Sequence, residues 1–335
     1  MGIIQTVVQD NTFRPEDIPA FEQKLFFEGA KRRLSVERFV ILLLLATIIA
    51  TYGVLGDSTA TVIGAMIVAP LMTPIMATAA GIAMGRLDRA IRSLLTVAAG
   101  VAGVIALSWL LATLFTGVIS YTGNTQIVAR ISPRLIDLIV ALASGVAGAF
   151  AMSREDVADS LPGVAIAISL VPPLCVVGIG LAGGQWDVAQ GALLLFVTNF
   201  FAILLAGGGV FSLLGLSRAA MVQVEGSARK RAFGLIFAGV FIIMIPLGLT
   251  SAQVTRDTWS QVQATETVEV WAAAERLDVR DVNVRNDIVT ILAVGENEPT
   301  AFPQLVTELE ANLGRPLTIN LQFVPSRDFV HASKP

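Results

Sequence analysis

Prolines in the middle of two apolar stretches are the residues of this chain whose types and spacing could form a functional site. Pro70 and Pro74 lie one helical turn apart in the first stretch, and Pro172 and Pro173 are adjacent in the second. Proline removes a helical N–H and clashes with the carbonyl four residues earlier. Carbonyls freed inside a bilayer must be covered by protein or line a wet cavity, where they could hold a cation.

The two proline stretches resemble one another over residues 57–81 and 159–183. They align without a gap at an offset of 102 residues, with seven identities that include the starting Asp-Ser pair and one proline. Paired, interrupted apolar segments in two halves of a chain indicate a binding site in a membrane transporter. Two proline-kinked helices with no ligand remain the alternative interpretation.

Few polar residues accompany these prolines. The predicted substrate or ion path consists of Pro70, Thr73, Pro74, Ser169, Pro172, Pro173, Thr198 and Asn199. Asn199 lies within an apolar run, where a buried amide needs partners, so an interhelical hydrogen bond is the alternative to a path-lining role. No Asp, Glu, Lys or His lies beside the prolines, which disfavours a proton relay.

The composition indicates an integral membrane protein. The chain has 335 residues, of which 54% are hydrophobic and 15% charged, with a mean hydropathy of +0.73. Seven apolar spans are predicted, several long enough to cross a bilayer. They cover residues 38–55, 59–84, 91–119, 135–152, 161–184, 188–214 and 232–253.

The predicted fold is an all-α transmembrane bundle of about seven helices, followed by a small C-terminal α+β domain. Residues 1–37 are expected to form a cytoplasmic amphipathic helix, with its helical part over 14–37, either on an anionic membrane surface or packed on the bundle as a collar. The transmembrane domain is expected over 38–253, with one repeat at 38–119, a second at 135–214 and an extra helix at 232–253. Because each repeat has three spans, the two repeats are expected to be inverted, with proline-broken second helices.

Arginine and lysine set the expected orientation. Six basic residues precede the first span, and eight more fall in loops on the same side, whereas the opposite short loops hold only Arg130 and Arg134. The positive-inside rule therefore predicts a cytoplasmic N-terminus in the cytoplasmic (plasma, or inner) membrane. With seven spans, the domain from residue 254 to 335 is expected outside the cytoplasm. Alternating patterns over 279–285, 288–294 and 316–324 predict its strands, and residues 258–277 and 299–313 its helices.

Several stretches resemble the DUF389 family of uncharacterised bacterial and archaeal membrane proteins. They are VIGAMIVAPLMTPI (62–75), ALASGVAGAFA (141–151), GVAIAISLVPPLCVVGIGLA (163–182) and LLLFVTNFFAI (193–203). The resemblance covers roughly residues 35–215 and implies a polytopic protein of the cytoplasmic membrane. It implies no substrate.

Two functions follow from the sequence. The first is a transporter or channel for a small solute or ion, with its site near mid-membrane. The alternative is an oligomeric membrane anchor that presents an extracytoplasmic sensor or binding domain. Without a catalytic triad, a metal cluster or a phosphate loop, the chain is predicted not to be an enzyme, and no catalytic residue, metal or cofactor is expected. The expected partners are the lipid bilayer, the solute and further copies of the chain, but not nucleic acid.

Overall fold

The computed structural model describes residues 11–29, 32–115, 119, 121, 123–154, 170–220, 259–260, 262–285, 288–295 and 298–325, and single residues at 234, 238, 241, 245 and 248. The chain divides into two compact units, Met1–Gly248 and Leu249–Pro335. Each unit is described by itself.

The first unit is helical throughout its described elements. A 3₁₀ turn at Pro15–Asp17 leads into α1, and ten α-helices are labelled in chain order. They are α1 (Ile18–Leu25), α2 (Arg32–Leu55), α3 (Thr59–Val68), α4 (Met72–Met84), α5 (Leu87–Thr113), α6 (Thr125–Ile131), α7 (Leu135–Ser153), α8 (Val171–Ala182), α9 (Trp186–Leu213) and α10 (Leu216–Ala219).

Among the described residues, four helices are long and apolar enough to cross a membrane: α2, α5, α7 and α9. The bent pair α3–α4 passes the same test as one broken span. These helices agree with a membrane protein, and they match the predicted spans 1, 2, 3, 4 and 6 within a few residues. Of the predicted fifth span only α8 is described, and the seventh span, 232–253, lies outside the described residues apart from single positions. The total of seven stays a prediction.

The N-terminal helix predicted as continuous over 14–37 is interrupted. Helix α1 ends at Leu25, where Phe26 turns to extended backbone, and α2 begins at Arg32. Phe21, Leu25 and Phe26 are buried in the core of the unit. Burial of these apolar side chains against the bundle, rather than exposure on a bilayer surface, explains the short helix and agrees with the collar alternative.

The helices of the first unit pack in a crossed pattern. Helix α4 contacts both α5 and α9, and α8 contacts both α9 and α5, while α2 packs on α3, α5 and α8, and α7 packs on α9. Glycines permit the closest approaches. A Cβ atom at Gly178 in α8 would lie 2.7 Å from the carbonyl oxygen of Ile105, and one at Gly145 in α7 would lie 2.9 Å from the Cα of Ile203. The hydrophobic effect does not drive helices together in lipid. Small residues at such contacts favour association because they permit close van der Waals packing.

The second unit is a small α+β domain. Helix α11 (262–275) precedes β1 (Asp278–Arg285) and β2 (Ile288–Gly295), and α12 (Phe302–Leu313) connects β2 to β3 (Thr318–Pro325). The sheet order is β1-β2-β3, with β1 and β2 antiparallel and β2 and β3 parallel. Alternate β2 residues are buried under Trp271, Leu305 and Leu309. The three strands occur close to where the alternating patterns predicted them, and the two helices overlap the ranges predicted for helices.

Candidate functional site at the helix breaks

The first proline stretch is a broken helix. Helices α3 and α4 are bent by 48°, and Ala69 at the end of α3 is extended, with φ −67° and ψ 124°. Proline disfavours helical backbone in the residue before it, which accounts for the break at Ala69. Pro70 also supplies no N–H to the carbonyl of Met66, four residues earlier, whereas Pro74 lies in the first turn of α4, where N–H groups have no intrahelical acceptor. One backbone acceptor, the Met66 carbonyl, thereby loses its helical donor at the break.

Neighbouring helices hold the break in place. Leu71 is 1% exposed, and a Cβ atom at Gly100 in α5 would lie 3.0 Å from the Cδ2 atom of Leu71. The same position would lie 3.2 Å from the ring of Phe39 in α2. The break is therefore wedged between α2 and α5 because Gly100 leaves room for Leu71. Pro74 is buried and Thr73 half-buried.

The second proline stretch is described only from Leu170 onwards. Pro172 and Pro173 occupy the first turn of α8, and both are buried. Proline is tolerated there because first-turn N–H groups have no intrahelical acceptor. Ser169 and the residues before it lie outside the described residues, so the predicted break in the second stretch stays a prediction.

One continuous apolar cluster connects both stretches with α9. Leu71 and Met72 beside the first break share it with Leu170 and Val171 beside the second, and with Phe196 and Ile203 in α9. Between the two α9 residues lie Thr198, 1% exposed, and Asn199, 3% exposed. The Thr198 hydroxyl donates to the carbonyl of Leu194 at 2.7 Å. The described candidate residues are thus placed in or beside one buried region.

The helical hairpins that follow the two prolines have the same geometry at an offset of 99 residues. In the first, the Arg86 N–H donates to the Gly81 carbonyl at 2.8 Å; in the second, the Gln185 N–H donates to the Gly180 carbonyl at 2.8 Å. Gly85 and Gly184 both adopt left-handed backbone, with φ of 73° and 68°. The bonds are those of a Schellman motif, which ends a helix at a glycine.

This geometry corrects the repeat register predicted from the sequence. At the offset of 102, Gly81 is paired with Gly183, yet Gly81 lies within α4 and Gly183 follows the end of α8. At 99, Pro74 pairs with Pro173, Gly81 with Gly180 and Asp88 with Asp187. The gapless alignment failed because it weighted the Asp-Ser pair before the helices more than the glycines that terminate them.

A buried polar cluster joins α2, α5 and α8, and sequence reasoning missed most of it. The Thr51 hydroxyl lies 2.9 Å from the Ser108 hydroxyl and donates to the Thr47 carbonyl at 2.7 Å. The Cys175 thiol lies 3.9 Å from the same carbonyl. All four side chains are at most 1% exposed. The spacing of Thr47 and Thr51, one turn apart on α2, could have indicated a shared polar face.

The chemistry available at the breaks is that of backbone carbonyls, hydroxyls and one amide. Within the described ranges, no group of three His, Cys, Asp or Glu residues is arranged to hold a metal ion. Such a site can replace part of the hydration shell of a small ion or polar solute. None of the described candidate residues carries an ionised group.

The central helices are similar to a known protein family. Residues 66–205 match the model of DUF389, a domain of unknown function. An uncharacterized protein of Methanocaldococcus jannaschii is 31% identical over 211 residues, which cover 62% of this chain and 65% of that relative. The chain thus spans less than two thirds of the length of this relative. No solved structure matches the chain. The match confirms the resemblance expected from the sequence over residues 66–205.

Proposed function

We propose that the protein is a membrane transporter or channel for a small solute or ion, built from two inverted halves around the proline breaks. The observation that carries the proposal is the pair of matched hairpins, α4–α5 and α8–α9, whose turns have the same hydrogen bonds at 2.8 Å. Inverted repeats around interrupted helices permit alternating access to a site near the bilayer midplane.

Contacts at the ends of α5 and α9 support the inversion. Arg89 at the start of α5 forms an ion pair with Glu22 of α1 at 2.6 Å. Phe211 at the end of α9 packs on Phe21, which also lies in α1, with ring centroids 5.5 Å apart. The start of α5 and the end of α9 therefore meet at one end of the unit. The two hairpins run in opposite directions as a consequence.

The turn between α8 and α9 lies at the opposite end of the bundle from α1. The Tyr121 hydroxyl donates to the carbonyl of Ile179 in α8 at 3.4 Å, and the amide of Asn124 donates to the carbonyl of Val54 in α2 at 2.7 Å. Val54 lies at the end of α2. These contacts place the end of α8 with the end of α2, away from α1.

Helix lengths support a break near the bilayer midplane. Helix α3 has 10 residues, or about 15 Å at 1.5 Å per residue. The hydrocarbon core is about 30 Å thick. A helix that enters at Ser58 therefore reaches Pro70 about halfway across.

The substrate contacts would include the carbonyl released by Pro70, with Thr73, Pro74, Ser169, Pro172, Pro173, Thr198 and Asn199 as further path residues. This inventory favours an ion held by carbonyls or a polar, uncharged solute. The chain would act without enzymatic chemistry.

Flux through reconstituted protein tests this proposal. The variant Pro70→Ala/Pro74→Ala supplies both missing N–H groups, and flux is expected to fall at least tenfold while the protein stays folded. Pro133→Ala, between α6 and α7, is the matched control and should leave flux unchanged. Absence of flux for the parent protein across a broad panel of ions and solutes contradicts the proposal.

The alternative, a membrane anchor that presents a sensor domain, draws support from the second unit. Residues 249–335 form a compact unit with a core of their own around Val268, Trp271 and Ile291. Deletion of 255–335 separates the alternatives. Flux that survives the deletion supports the transporter, whereas loss of every measurable activity supports the anchor.

The proposal also includes a cytoplasmic N-terminus, an extracytoplasmic C-terminal domain, the inner membrane and a homo-oligomer. Arg89, Arg92 and Arg154 support the orientation, because all three lie at the end of the unit that carries the N-terminal segment. Labelling of Lys24→Cys and Glu298→Cys variants with an impermeant reagent tests it. Labelling of both from outside intact cells would contradict it.

A further inference from the structure

An amphipathic groove lies on the side of the first unit between α2 and α5. It has a volume of about 720 Å³, and its walls include Val36 and Val40 of α2 and Leu95 and Ala99 of α5. Pro74 of α4 lies on its floor. The volume falls within the ~300–1,000 Å³ of ligand pockets. The groove thus runs from the bundle surface to the first turn after the helix break.

Arginine side chains line the end of the groove beside α1. Arg32 begins α2 and Arg92 lies in the second turn of α5. Glu28 lies between them, but its carboxylate already contacts Arg89 at 3.2 Å and Arg92 at 3.8 Å. Arg32 forms no ion pair among the described residues. Since Arg89 also pairs with Glu22, three arginines face two glutamates, which leaves one positive charge in excess.

The walls beyond the arginines are apolar and open to the surroundings. Leu95 is 63% exposed, Val40 44% and Val36 39%. An apolar face of this kind on a membrane protein is solvated by acyl chains. Basic pockets between transmembrane helices bind anionic headgroups, and arginine matches the geometry of a phosphate group.

We propose that this groove binds one anionic phospholipid, with its phosphate at Arg32 and Arg92 and an acyl chain between α2 and α5. The order of groups fits this occupant, because the cations lie at one end and the apolar walls continue from them. A soluble anion would leave the apolar walls unused, and an uncharged lipid would leave the excess charge uncompensated. The acyl chain would reach Pro74, so the lipid would support the broken helix directly. The proposal holds whether or not the protein transports a solute.

Native mass spectrometry of the purified full-length chain in detergent measures this binding. The probes are phosphatidylglycerol, phosphatidylcholine with the same acyl chains, and glycerol phosphate without acyl chains. Arg32→Gln/Arg92→Gln removes the cations, with Arg33→Gln as matched control because Arg33 pairs with Glu37 outside the groove. Ala99→Phe fills the groove without changing charge, and Ala98→Phe is its neighbouring control.

Phosphatidylglycerol is expected to bind at one high-affinity site, at least tenfold more tightly than phosphatidylcholine. The double arginine variant should weaken binding by about 25-fold, about fivefold for each arginine. Ala99→Phe should also weaken binding, while Ala98→Phe should not. Glycerol phosphate should not compete. Equal affinity for the two lipids, competition by glycerol phosphate, or an equal loss in Arg33→Gln would overturn the proposal. If the double arginine variant fails to fold, Ala99→Phe alone decides: unchanged phosphatidylglycerol binding overturns the proposal.

Discussion

The hairpins α4–α5 and α8–α9 have matching turns but differ in their charged residues. Both turns bond a backbone N–H to a glycine carbonyl at 2.8 Å, and both following helices begin with an acidic residue in the first turn, Asp88 or Asp187. Yet Arg86, Arg89 and Arg92 in the first hairpin correspond to Gln185, Val188 and Gly191 in the second.

This difference separates two determinants of the structure. The glycines fix the path of the backbone, because left-handed backbone and close helix contact both favour a residue without Cβ. In the proposed orientation the arginines mark the cytoplasmic side, because basic residues are retained on the cytoplasmic face. Inverted halves are expected to have two turns of the same geometry, of which only the cytoplasmic one carries arginines.

The largest expected effect concerns the crossed contacts between the hairpins. A Cβ atom at Gly178 would lie 2.7 Å from backbone atoms of Ile105 and Trp109, whereas one at Gly207 would lie 2.8 Å from the flexible Met76 sulfur. Gly178→Ala should therefore destabilise the helical unit by about 3 kcal/mol, near the upper end of overpacking costs. Gly207→Ala should cost less than about 1 kcal/mol because Met76 can move. Denaturation in detergent measures both, and equal losses would contradict the distinction.

The two turns should respond alike to a methyl group. A Cβ atom would lie 2.8 Å from the Ala90 nitrogen at Gly81 and 3.0 Å from the Ala189 nitrogen at Gly180. Gly81→Ala and Gly180→Ala are each expected to cost about 2 kcal/mol. Gly64→Ala is the control, since nothing lies within 4 Å of its Cβ position. A loss at only one turn, in the same unfolding measurement, would show that the hairpins are not equivalent.

The arginines of the first hairpin, which the second hairpin lacks, are expected to stabilise the packing of α1. Arg89 is 16% exposed, pairs with Glu22 and Glu28 and lies 5.0 Å above the Phe26 ring. Arg89→Gln should destabilise α1 by about 1–2 kcal/mol, because it leaves the half-buried Glu22 carboxylate without its cation and Glu28 with only the longer contact to Arg92. Hydrogen exchange over residues 18–28 should accelerate. Arg33→Gln, at an exposed ion pair, should have almost no effect. Unchanged exchange in Arg89→Gln would contradict this role for the arginine.

The smallest expected effect is a pH dependence at the opposite end. Hydrogen bonds from the Thr125 hydroxyl and the Gln126 N–H lower the pKa of Asp57 below its ordinary value of 3.8. A lowered pKa in the folded state means that the stabilisation is complete above pH 3.8 and is lost as the pH falls through the lowered pKa. Melting temperature should therefore decline less between pH 5 and pH 3 in Asp57→Asn than in the parent. Identical pH profiles would contradict this contribution.

The sequence was sufficient for elements set by local patterns. Five of the predicted apolar spans, the alternating strands of residues 279–294 and the proline break at Pro70 all depend on near neighbours, and each appears in the structure. The end of α12 at Gly314, which has a left-handed φ of 65°, could also be predicted, because glycine commonly ends helices.

Features set by distant contacts were not predictable in the same way. The bond between Thr51 and Ser108 joins residues 57 positions apart, and the seating of Leu71 depends on the space that Gly100 leaves. The division of α1 from α2 likewise depends on the packing of Phe21 against Phe13 and Phe211. Periodicity carries no information on which helix faces which.

The relative direction of the two hairpins in the membrane is the most direct test of the account. Asp88 and Asp187 are equivalent, exposed and adjacent to the two turns. Each is replaced by cysteine in a Cys175→Ser background, and a membrane-impermeant maleimide is applied to intact cells and to inverted vesicles. Asp88→Cys is expected to be labelled only from the cytoplasmic side and Asp187→Cys only from the outside. Labelling of both from the same side would contradict inverted halves, and with them the proposed site between the breaks.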